Sequence, residues 1–292
     1  MCAPIAAVPG VRKEGALTVT SPAQERRPGG HRLRTNTSLD GRVVDKNLVW
    51  HGPEVPAFVP LTVGTMTLDL LDRTATGYMA LYRDHDLDRP PMNPSCGLDA
   101  IEDNGKEMFP GAKKNCASEV RLYDCAGQEL AAIPLAPYLS RPDHLEVQDV
   151  HYEGGTLYFN EACQGYARNA GGRCSSLVAL DPIAKKVLWR TPSLTSNNAF
   201  AIAGDYIVTA YGFTAEKCSI RIVRRKDGAI MDAKPLGSSA DDDLTVRGDV
   251  VSVNLYNMLG RVEFRITGLE GAAPKLVAVA SPSARFRRPP SL

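Results

Sequence analysis

The feature that most constrains the fold is a hairpin pattern at residues 176–192 that recurs along the chain. Two runs of apolar and β-branched residues, 177–180 and 187–190, flank the turn-forming pair Asp181-Pro182, as expected of an antiparallel hairpin. One hairpin cannot bury a core, so a chain of this kind must stack its repeats on one another. Related patterns of strand, turn, strand, loop, strand, turn and strand occupy residues 57–135, 145–190, 199–231 and 244–280, and the first of them begins with a predicted strand at residues 58–63.

Cysteines mark the period of this repeat. Cys116, Cys174 and Cys218 each precede the third strand of their unit, at intervals of 58 and 44 residues. Four strands in roughly 40 to 50 residues are typical of β-propeller blades. The sequence therefore predicts an all-β protein, a β-propeller of four-stranded antiparallel blades, with four blades in residues 57–280. A partial fifth blade stays open as an addition at the N-terminal side.

The composition of the two ends differs from that of the repeats. Residues 1–30 mix Pro, Gly and charged residues, with a single strand-like run at residues 16–20, which predicts a weakly ordered N-terminal segment. Residues 31–280 are predicted to be the propeller domain. Residues 281–292 are basic and rich in Pro, and we expect them to be a disordered tail.

Charge and hydrophobicity argue against a nucleic-acid partner and against a transmembrane segment. The chain has 34 basic and 33 acidic residues, a formal net charge of +1, so no global field attracts nucleic acid. Hydrophobic residues make up 43% of the chain, enough for a core. No window of the sequence approaches the run of about 18 apolar residues that predicts a transmembrane helix. We expect neither a nucleic-acid partner nor a transmembrane segment.

Two pairs of cysteines bracket loops at the same place in the repeat. Cys96 and Cys116 enclose a long loop, and Cys163 and Cys174 enclose a shorter polar one. Neither pair has the spacing of a zinc site, so we expect two disulfides, with free buried thiols as the alternative. Cys2, Cys125 and Cys218 are then left unpaired. Bridges of this kind indicate an oxidising compartment, so the expected location is periplasmic, at the cell envelope or extracellular.

The first residues give no support for export. Met1-Cys2-Ala-Pro lacks the charged and apolar regions of a signal peptide. Cys2 is a candidate for lipidation, but a lipobox before it is missing, so an incidental cysteine is the preferred interpretation. We expect either that the signal lies outside this chain or that the start is misplaced, in which case the chain is the C-terminal part of a longer propeller.

One blade carries a recognisable motif. Ala179 and Asp181, spaced as Ala-x-Asp, are followed by Lys185 and Trp189. This pattern resembles the blade motif of the pyrroloquinoline-quinone-like propellers. The resemblance implies that the indole of Trp189 packs between blades while its N–H donates to a carbonyl.

This chain departs from the family in ways that affect function. The turn before Lys185 has Ile183-Ala184 where the family has Thr-Gly, and one blade alone keeps the Trp. The quinone-dependent dehydrogenases of the family have eight blades, a disulfide between adjacent cysteines, a calcium site and a catalytic Asp. Because this chain has no adjacent cysteines, no catalytic or cofactor residue is carried over, and no cofactor is predicted. Some relatives are lipoproteins that act as scaffolds in outer-membrane assembly.

The sequence holds few candidates for catalysis or metal binding. Residues 84–88, Asp-His-Asp-Leu-Asp, alternate acids as calcium loops do, but lack the later bidentate Glu. The acidic run at residues 241–243 precedes a strand and is interpreted as a polar turn. The five histidines have no ligand spacing, and Ser, Cys and Lys occur in no nucleophile motif. We therefore predict no metal site and no catalytic residue.

The two cysteine-bracketed loops are the best candidates for a binding surface. Both connect the second strand of a blade to the third, so both should lie on one face of the disc. A mixture of aromatic and basic side chains, as found here, is favoured at interface hot spots. A lengthened surface loop without a ligand is the alternative. The residues of the predicted binding face are Phe109, Lys113, Lys114, Tyr166, Arg168 and Arg173.

The sequence thus favours a non-enzymatic binding or scaffold module of the cell envelope with an unidentified protein partner. The alternative from another class is an enzyme, either a reduced quinoprotein or a propeller hydrolase, with its site at the axial mouth. An enzyme requires converging carboxylates or a metal there, whereas a scaffold requires only a shaped rim.

Overall fold

A computed structural model describes most of the repeat region and parts of the two ends. The described residues are 17–20, 31–37, 43–51, 55–83, 117–141, 145–163, 166–213, 216–255, 258–259, 261–271, 273–279 and 285–286. Within them the regular secondary structure is almost entirely β-strand. The helical segments in this part of the chain are the 3-10 turns Ala136–Tyr138 and Ala167–Ala170.

The strands follow the predicted repeat. Before the first blade lie β1 (Leu17–Thr20), β2 (His31–Thr37), β3 (Val43–His51) and β4 (Thr62–Val63). Blade 1 contains β5 (Met66–Arg73), β6 (Gly77–Arg83), β7 (Ser118–Asp124) and β8 (Glu129–Pro134). Blade 2 contains β9 (Leu145–Glu153), β10 (Thr156–Cys163), β11 (Ser176–Asp181) and β12 (Lys186–Arg190). Blade 3 contains β13 (Asn197–Ala203), β14 (Tyr206–Tyr211), β15 (Ser219–Arg224) and β16 (Ile230–Pro235).

Blade 4 contains β17 (Ala240–Arg247), β18 (Val250–Leu255), β20 (Arg261–Thr267) and β21 (Lys275–Val279), and the short strands β19 (Met258–Leu259) and β22 (Arg285–Phe286) pair with each other. In every blade the four strands pair in chain order as an antiparallel meander. The predicted fold class, all-β with four-stranded propeller blades, is confirmed.

The chain divides into two compact units. The first comprises Met1–His144 with Tyr152–Gly155, and the second comprises Leu145–His151 with Thr156–Leu292. Blade 1 belongs to the first unit, and blades 3 and 4 belong to the second together with blade 2, apart from the tip of its β9–β10 hairpin. That residues 31–280 form a single domain stays a prediction.

In the first unit, the N-terminal hairpin joins the sheet of blade 1. Strands β2 and β3 pair antiparallel, and β2 continues the sheet by pairing with β5 through His31 opposite Leu71. The sheet order is β1-β3-β2-β5-β6-β7-β8. The hairpin therefore extends blade 1 and does not begin a sheet of its own.

One strand predicted in this unit is largely absent. Residues 58–63 were expected to be extended, yet only Thr62–Val63 is a strand. Val59 N–H instead donates to the carbonyl of Pro56 at 2.9 Å in a turn. Pro56 and Pro60 supply no N–H to a ladder, which explains why the segment turns. Its side chains still pack against β5 and β6, where the buried Tyr82 hydroxyl donates to Pro60 O at 2.8 Å.

In the second unit, alternation along each strand builds a separate core on each face of a blade. All six residues of β14 are buried. Tyr206 and Val208 belong to the apolar cluster shared with blade 4, whereas Ile207 belongs to the cluster shared with blade 2. Successive side chains of a strand point to opposite faces, so one strand contributes to both cores. This explains why the middle strands of the repeat are continuous apolar runs.

The first strands of blades 2, 3 and 4 are joined by a polar contact at Asn198. Its φ of 57° is left-handed, a conformation that Asn tolerates better than most residues. Its backbone N–H donates to Gln148 Oε1 at 2.8 Å, and its side-chain Nδ2 donates to Ala240 O at 2.8 Å. Its carbonyl accepts a hydrogen bond from Asn160 Nδ2 at 2.6 Å. One residue thus connects three blades.

Candidate functional site

The loop between β10 and β11 is closed by a disulfide at its base. Cys163, the last residue of β10, is bonded to Cys174, with their Cα atoms 5.1 Å apart, and the predicted pairing is confirmed. Close to this bond, Ser175 N–H donates to Glu161 O at 2.8 Å. The bridge and the hydrogen bond hold the two ends of the loop together where β10 ends and β11 begins.

The interior of the same loop is ordered by local turns. The 3-10 turn Ala167–Ala170 ends at Gly171, whose φ of 61° is left-handed. Gly172 N–H donates to Ala167 O at 2.8 Å, which closes the turn. Gly is favoured at such positions because it has no Cβ. The loop therefore presents Tyr166 and Arg168 from a hydrogen-bonded turn.

The corresponding loop of blade 3 meets this one through an aromatic contact. The rings of Tyr166 and Phe213 lie edge to face, with centroids 5.2 Å apart and an interplanar angle of 84°. The guanidinium carbon of Arg168 lies 5.0 Å from the centroid of the Tyr166 ring, within the range of a cation–π contact. Arg168 is exposed, and Phe213 is 41% exposed. Among the exposed large hydrophobic residues of the described part of the chain, Phe213 alone is aromatic.

A carboxylate beneath the rings joins the two loops. Glu216 Oε1 accepts a hydrogen bond from Ala167 N–H at 2.7 Å, and Glu216 Oε2 accepts one from Phe213 N–H at 2.9 Å. Ala167 is the first residue of the 3-10 turn, where backbone N–H groups need acceptors. Glu216 therefore connects the loop of blade 2 to that of blade 3.

Burial and this carboxylate together shift the titration of two neighbours. The pKa of Tyr211 is raised, first by burial and then by the charge and hydrogen bond of Glu216. The pKa of the Cys218 thiol is raised by burial and, to a lesser degree, by Glu216. Both groups are thus held neutral at physiological pH, and the Cys218 thiol, which is free and buried, is not activated as a nucleophile.

We define the clamped-loop surface as Tyr166, Arg168, Arg173, Phe213 and Lys217. Arg173 and Lys217 are exposed at the margins of the two loops. The link between blades 2 and 3 lies beside them, since Leu194 N–H donates to Cys174 O at 2.8 Å and Leu194 O accepts from the Arg221 guanidinium. Three of the predicted face residues, Tyr166, Arg168 and Arg173, therefore lie in this one loop.

Other predicted residues lie elsewhere or outside the described part. Phe109, Lys113 and Lys114, and the predicted pair Cys96 and Cys116, lie outside the described residues, as does the acidic loop 84–88. Phe213, Glu216 and Lys217 were not singled out from the sequence. A signal for them exists, because residues 212–218 occupy the same place in blade 3 as residues 164–174 do in blade 2.

The pairing of Cys125 differs from expectation. Cys125 was predicted to be unpaired, but it is disulfide-bonded. It lies exposed in the turn between β7 and β8, where a sulfur can be reached by another segment. The other described cysteines are already bonded to each other or free, so the partner of Cys125 is not among them.

The residues of the blade motif lie at the other end of β11 from the clamped-loop surface. Ala179 is fully buried between blades 2 and 3. Asp181 Oδ1 accepts hydrogen bonds from Ile183 N–H and Ala184 N–H at 2.9 and 2.8 Å, which shapes the turn. Trp189 packs against Gly228 of blade 3, and its Nε1–H donates to Arg225 O at 2.8 Å. Ala179 and Trp189 thus contribute to the joint between blades 2 and 3, whereas Asp181 shapes the turn within blade 2.

A buried carboxylate and a buried histidine of the second unit, Asp149 and His151, are engaged within the fold. His151 Nε2 lies 3.4 Å from Asp149 Oδ2 and 2.9 Å from Phe200 O. Asp149 Oδ2 also accepts a hydrogen bond from Phe200 N–H at 2.9 Å. This buried pair therefore contacts the backbone of β13. No group of three or more His, Cys, Asp and Glu side chains that could hold a metal ion occurs among the described residues.

The described residues also include no helix long and apolar enough to cross a membrane.

Comparison with known proteins gives structural matches alone. No protein-family model matches the chain, and no curated protein matches it. Among solved structures, BamB from Moraxella catarrhalis matches with 9% identity and a TM-score of 0.39, over 78% of this chain and 62% of that chain. The computationally designed Ika8 protein matches with 10% identity and a TM-score of 0.38, over 78% of this chain and 64% of that chain.

The computationally designed Ika4 protein matches with 13% identity and a TM-score of 0.35, over 53% of this chain and 86% of that chain. This chain therefore spans somewhat less than two thirds of the BamB and Ika8 structures. Structural similarity with such low sequence identity and TM-score says nothing about activity. The fold class above is assigned from the sheets of this chain.

Proposed function

We propose that this protein is a non-enzymatic binding or scaffold module of the cell envelope, built on a quinoprotein-like propeller, and that its protein partner binds the clamped-loop surface. The observation that carries the proposal is the contact between Tyr166 and Phe213. It brings an exposed aromatic residue and exposed cations from two blades into one patch. Aromatic residues and Arg are enriched at interface hot spots.

The support beneath the patch favours binding over a passive loop. The disulfide between Cys163 and Cys174 and the two hydrogen bonds to Glu216 fix the loops before any partner arrives. Ordering flexible loops on association costs free energy, so a preorganised surface binds more tightly for the same contacts. A lengthened loop without a ligand has no need of such support.

The cell-envelope location rests on the sulfur chemistry. Cys163, Cys174 and Cys125 are all disulfide-bonded. Disulfides persist in oxidising compartments and are rare where thiols are kept reduced. The resemblance of the Ala179, Asp181 and Trp189 motif to quinoprotein-like blades agrees with such a location, because part of that family consists of envelope lipoproteins.

The test is a comparison of partner capture by matched variants. Tyr166→Ala combined with Arg168→Ala should reduce the amount of each partner captured from a cell-envelope lysate by about tenfold or more, which corresponds to ~1.4 kcal/mol. The control is Lys185→Ala combined with Lys226→Ala, which removes two exposed side chains from the turns at the other end of β11 and β15. This control pair should leave capture unchanged.

A second variant guards against local disruption of the disulfide loop. Phe213→Ala removes the aromatic ring contributed by blade 3 and leaves residues 163–174 untouched. Capture of the partner should fall in this variant too. The melting temperature of the Tyr166→Ala, Arg168→Ala variant should stay close to that of the wild-type protein. If the control pair abolishes capture and neither surface variant does, the assignment of this face is wrong.

A further inference from the structure

The chemistry of the partner follows from the charges on the clamped-loop surface. The two loops and the adjacent link, residues 164–175, 191–196 and 212–218, contain three basic residues, Arg168, Arg173 and Lys217, and one acid, Glu216. All three basic residues are exposed, whereas Glu216 is half-buried. The charge that faces solvent is therefore positive.

The single acid offsets one of the three positive charges. Both carboxylate oxygens of Glu216 accept hydrogen bonds from backbone N–H groups, at 2.7 and 2.9 Å. Donors directed at a carboxylate stabilise its charge locally. The negative charge is thereby held inside the joint between the loops. Arg173 and Lys217 at the margins are left to attract a ligand.

Charge alone does not select this surface, because the turns at the other end of the sheets also carry exposed lysines, Lys185 and Lys226. The difference lies in the aromatic centre. Phe213, whose ring contacts Tyr166, is 41% exposed in the same pair of loops that carries the three cations. An apolar anchor in a positively charged surface is complementary to an apolar side chain flanked by carboxylates.

We propose that the partner segment recognised here is an acidic stretch of protein in which two or more carboxylates flank an aromatic or large aliphatic side chain. This inference rests on the proposed function, since it names the chemistry of the partner at the same surface. The apolar side chain packs against Phe213 and Tyr166. The carboxylates pair with Arg173 and Lys217.

A protein segment suits this surface better than an anionic membrane or a nucleic acid. Polybasic surfaces that bind anionic lipid use clusters of about four to eight Lys and Arg, and this surface has three. Nucleic-acid binding is expected of a domain with a strongly basic face, whereas this chain has a net charge of +1. Three cations in the two loops that carry one exposed ring fit a short peptide.

The experiment selects ligands from a library of random linear peptides displayed on phage, with the immobilised full-length protein as bait. The enriched peptides should contain paired acidic residues next to an aromatic or large aliphatic residue. A synthetic consensus peptide is then measured by fluorescence anisotropy. Its Kd should rise about tenfold or more in Arg173→Glu combined with Lys217→Glu, and it should rise with salt as expected for exposed charges.

The matched control reverses two exposed lysines at the other end of the sheets, Lys185→Glu with Lys226→Glu, and should leave the Kd within about twofold. Selection repeated on the Arg173→Glu, Lys217→Glu bait should enrich basic peptides instead. Thermal unfolding of both double variants should match that of the wild-type protein, because all four replaced side chains are exposed.

The outcomes separate this inference from the proposed function. If the selected peptides lose binding in Phe213→Ala but are neutral or basic, the surface binds protein and the acidic partner is wrong. If binding is unchanged in Phe213→Ala and in the charge-reversed variant, the surface itself is wrong and both proposals fall. Failure to enrich any peptide, or retention of the protein by vesicles of anionic lipid with the same dependence on Arg173 and Lys217, also overturns the inference.

Discussion

At the scale of single residues, the joint between blades 2 and 3 depends on one indole and one glycine. Trp189 lies opposite Ala179 in the hairpin and packs its ring on Gly228, while its Nε1–H donates to Arg225 O. Gly228 has a left-handed φ of 74°. The glycine thus satisfies two requirements at once, namely the backbone conformation of its turn and the close approach of the ring.

Replacing this glycine should separate the two requirements. In Gly228→Ala the new Cβ lies 2.7 Å from Trp189 Cε3, so the indole must move, in addition to the left-handed backbone cost of about 1 kcal/mol. Gly248→Ala is the matched control, since Gly248 has a φ of 62° and nothing within 4 Å of the new Cβ.

Urea unfolding should therefore show Gly228→Ala to be less stable than Gly248→Ala by about 1 to 3 kcal/mol, the range expected for overpacking. Combining Gly228→Ala with Trp189→Leu should recover part of this difference, because the smaller side chain leaves room for the methyl group. Equal losses in the two single variants would show that the indole does not constrain Gly228.

Sequence reasoning succeeds at such residues when one motif carries the information. The resemblance of the Ala179, Asp181 and Trp189 motif to quinoprotein-like blades implies a packing role with a carbonyl partner for the indole, and in the structure the indole N–H donates to Arg225 O. Glu216 could not be found in this way. Its role depends on two backbone donors, Phe213 N–H, which is 3 residues upstream, and Ala167 N–H, which is 49 residues upstream. Ala167 belongs to another blade.

At the scale of elements, strand order was predictable because each blade repeats the same alternation of apolar residues. The segment at residues 58–63 was predicted wrongly for the same reason. Its apolar residues suggested a strand, but Pro56 and Pro60 remove backbone donors and leave a turn that still packs its side chains. Burial and extended structure are separate properties, and the apolar pattern reports burial.

The clamped loop is the element whose stability can be tested most directly. Cys163→Ser combined with Cys174→Ser opens a loop with a sequence separation of 11. On the chain-entropy model this lowers the free energy of unfolding by somewhat less than about 3 kcal/mol. Cys218→Ser is the control, since it removes a sulfur without breaking a bridge, and its loss should be smaller.

Peptide mapping without reduction checks the same bridge chemically. It should recover the segment that joins Cys163 to Cys174, and it should find Cys218 alkylated once the protein has been unfolded. Cys125 should resist alkylation because it is disulfide-bonded. Alkylation of Cys163 and Cys174 in unreduced protein would contradict the assignment of the clamp.

At the scale of the whole molecule, the two units are built differently. In the first, a hairpin from the N-terminal side enlarges the sheet of blade 1. In the second, successive blades share apolar clusters on both faces of their middle strands. Pairing of β2 with β5 could not be predicted, because it joins segments about 40 residues apart and no local pattern specifies the register.

Asn198 offers a test of how strongly the blades of the second unit depend on one another. Asn198→Gly keeps the left-handed backbone and the two backbone hydrogen bonds but loses the donor to Ala240 O, at a cost of about 1 kcal/mol. Asn198→Ala loses the same donor and adds about 1 kcal/mol or more for the left-handed conformation.

Urea unfolding should therefore rank the proteins as wild type, Asn198→Gly and Asn198→Ala in decreasing stability. An alanine variant more stable than the glycine variant would mean that the backbone leaves its left-handed conformation at little cost. Stability equal to that of the wild type in both variants would show that the contact with blade 4 contributes nothing.

The position of the clamp in the chain has a consequence for the way the two loops become ordered. The bridge between Cys163 and Cys174 lies wholly within blade 2, with a sequence separation of 11, so its formation needs no contact with another blade. Phe213 and Glu216 follow about 40 residues later. The loop of blade 2 can therefore close without its aromatic and acidic partners, and once closed it provides a template on which the loop of blade 3 folds.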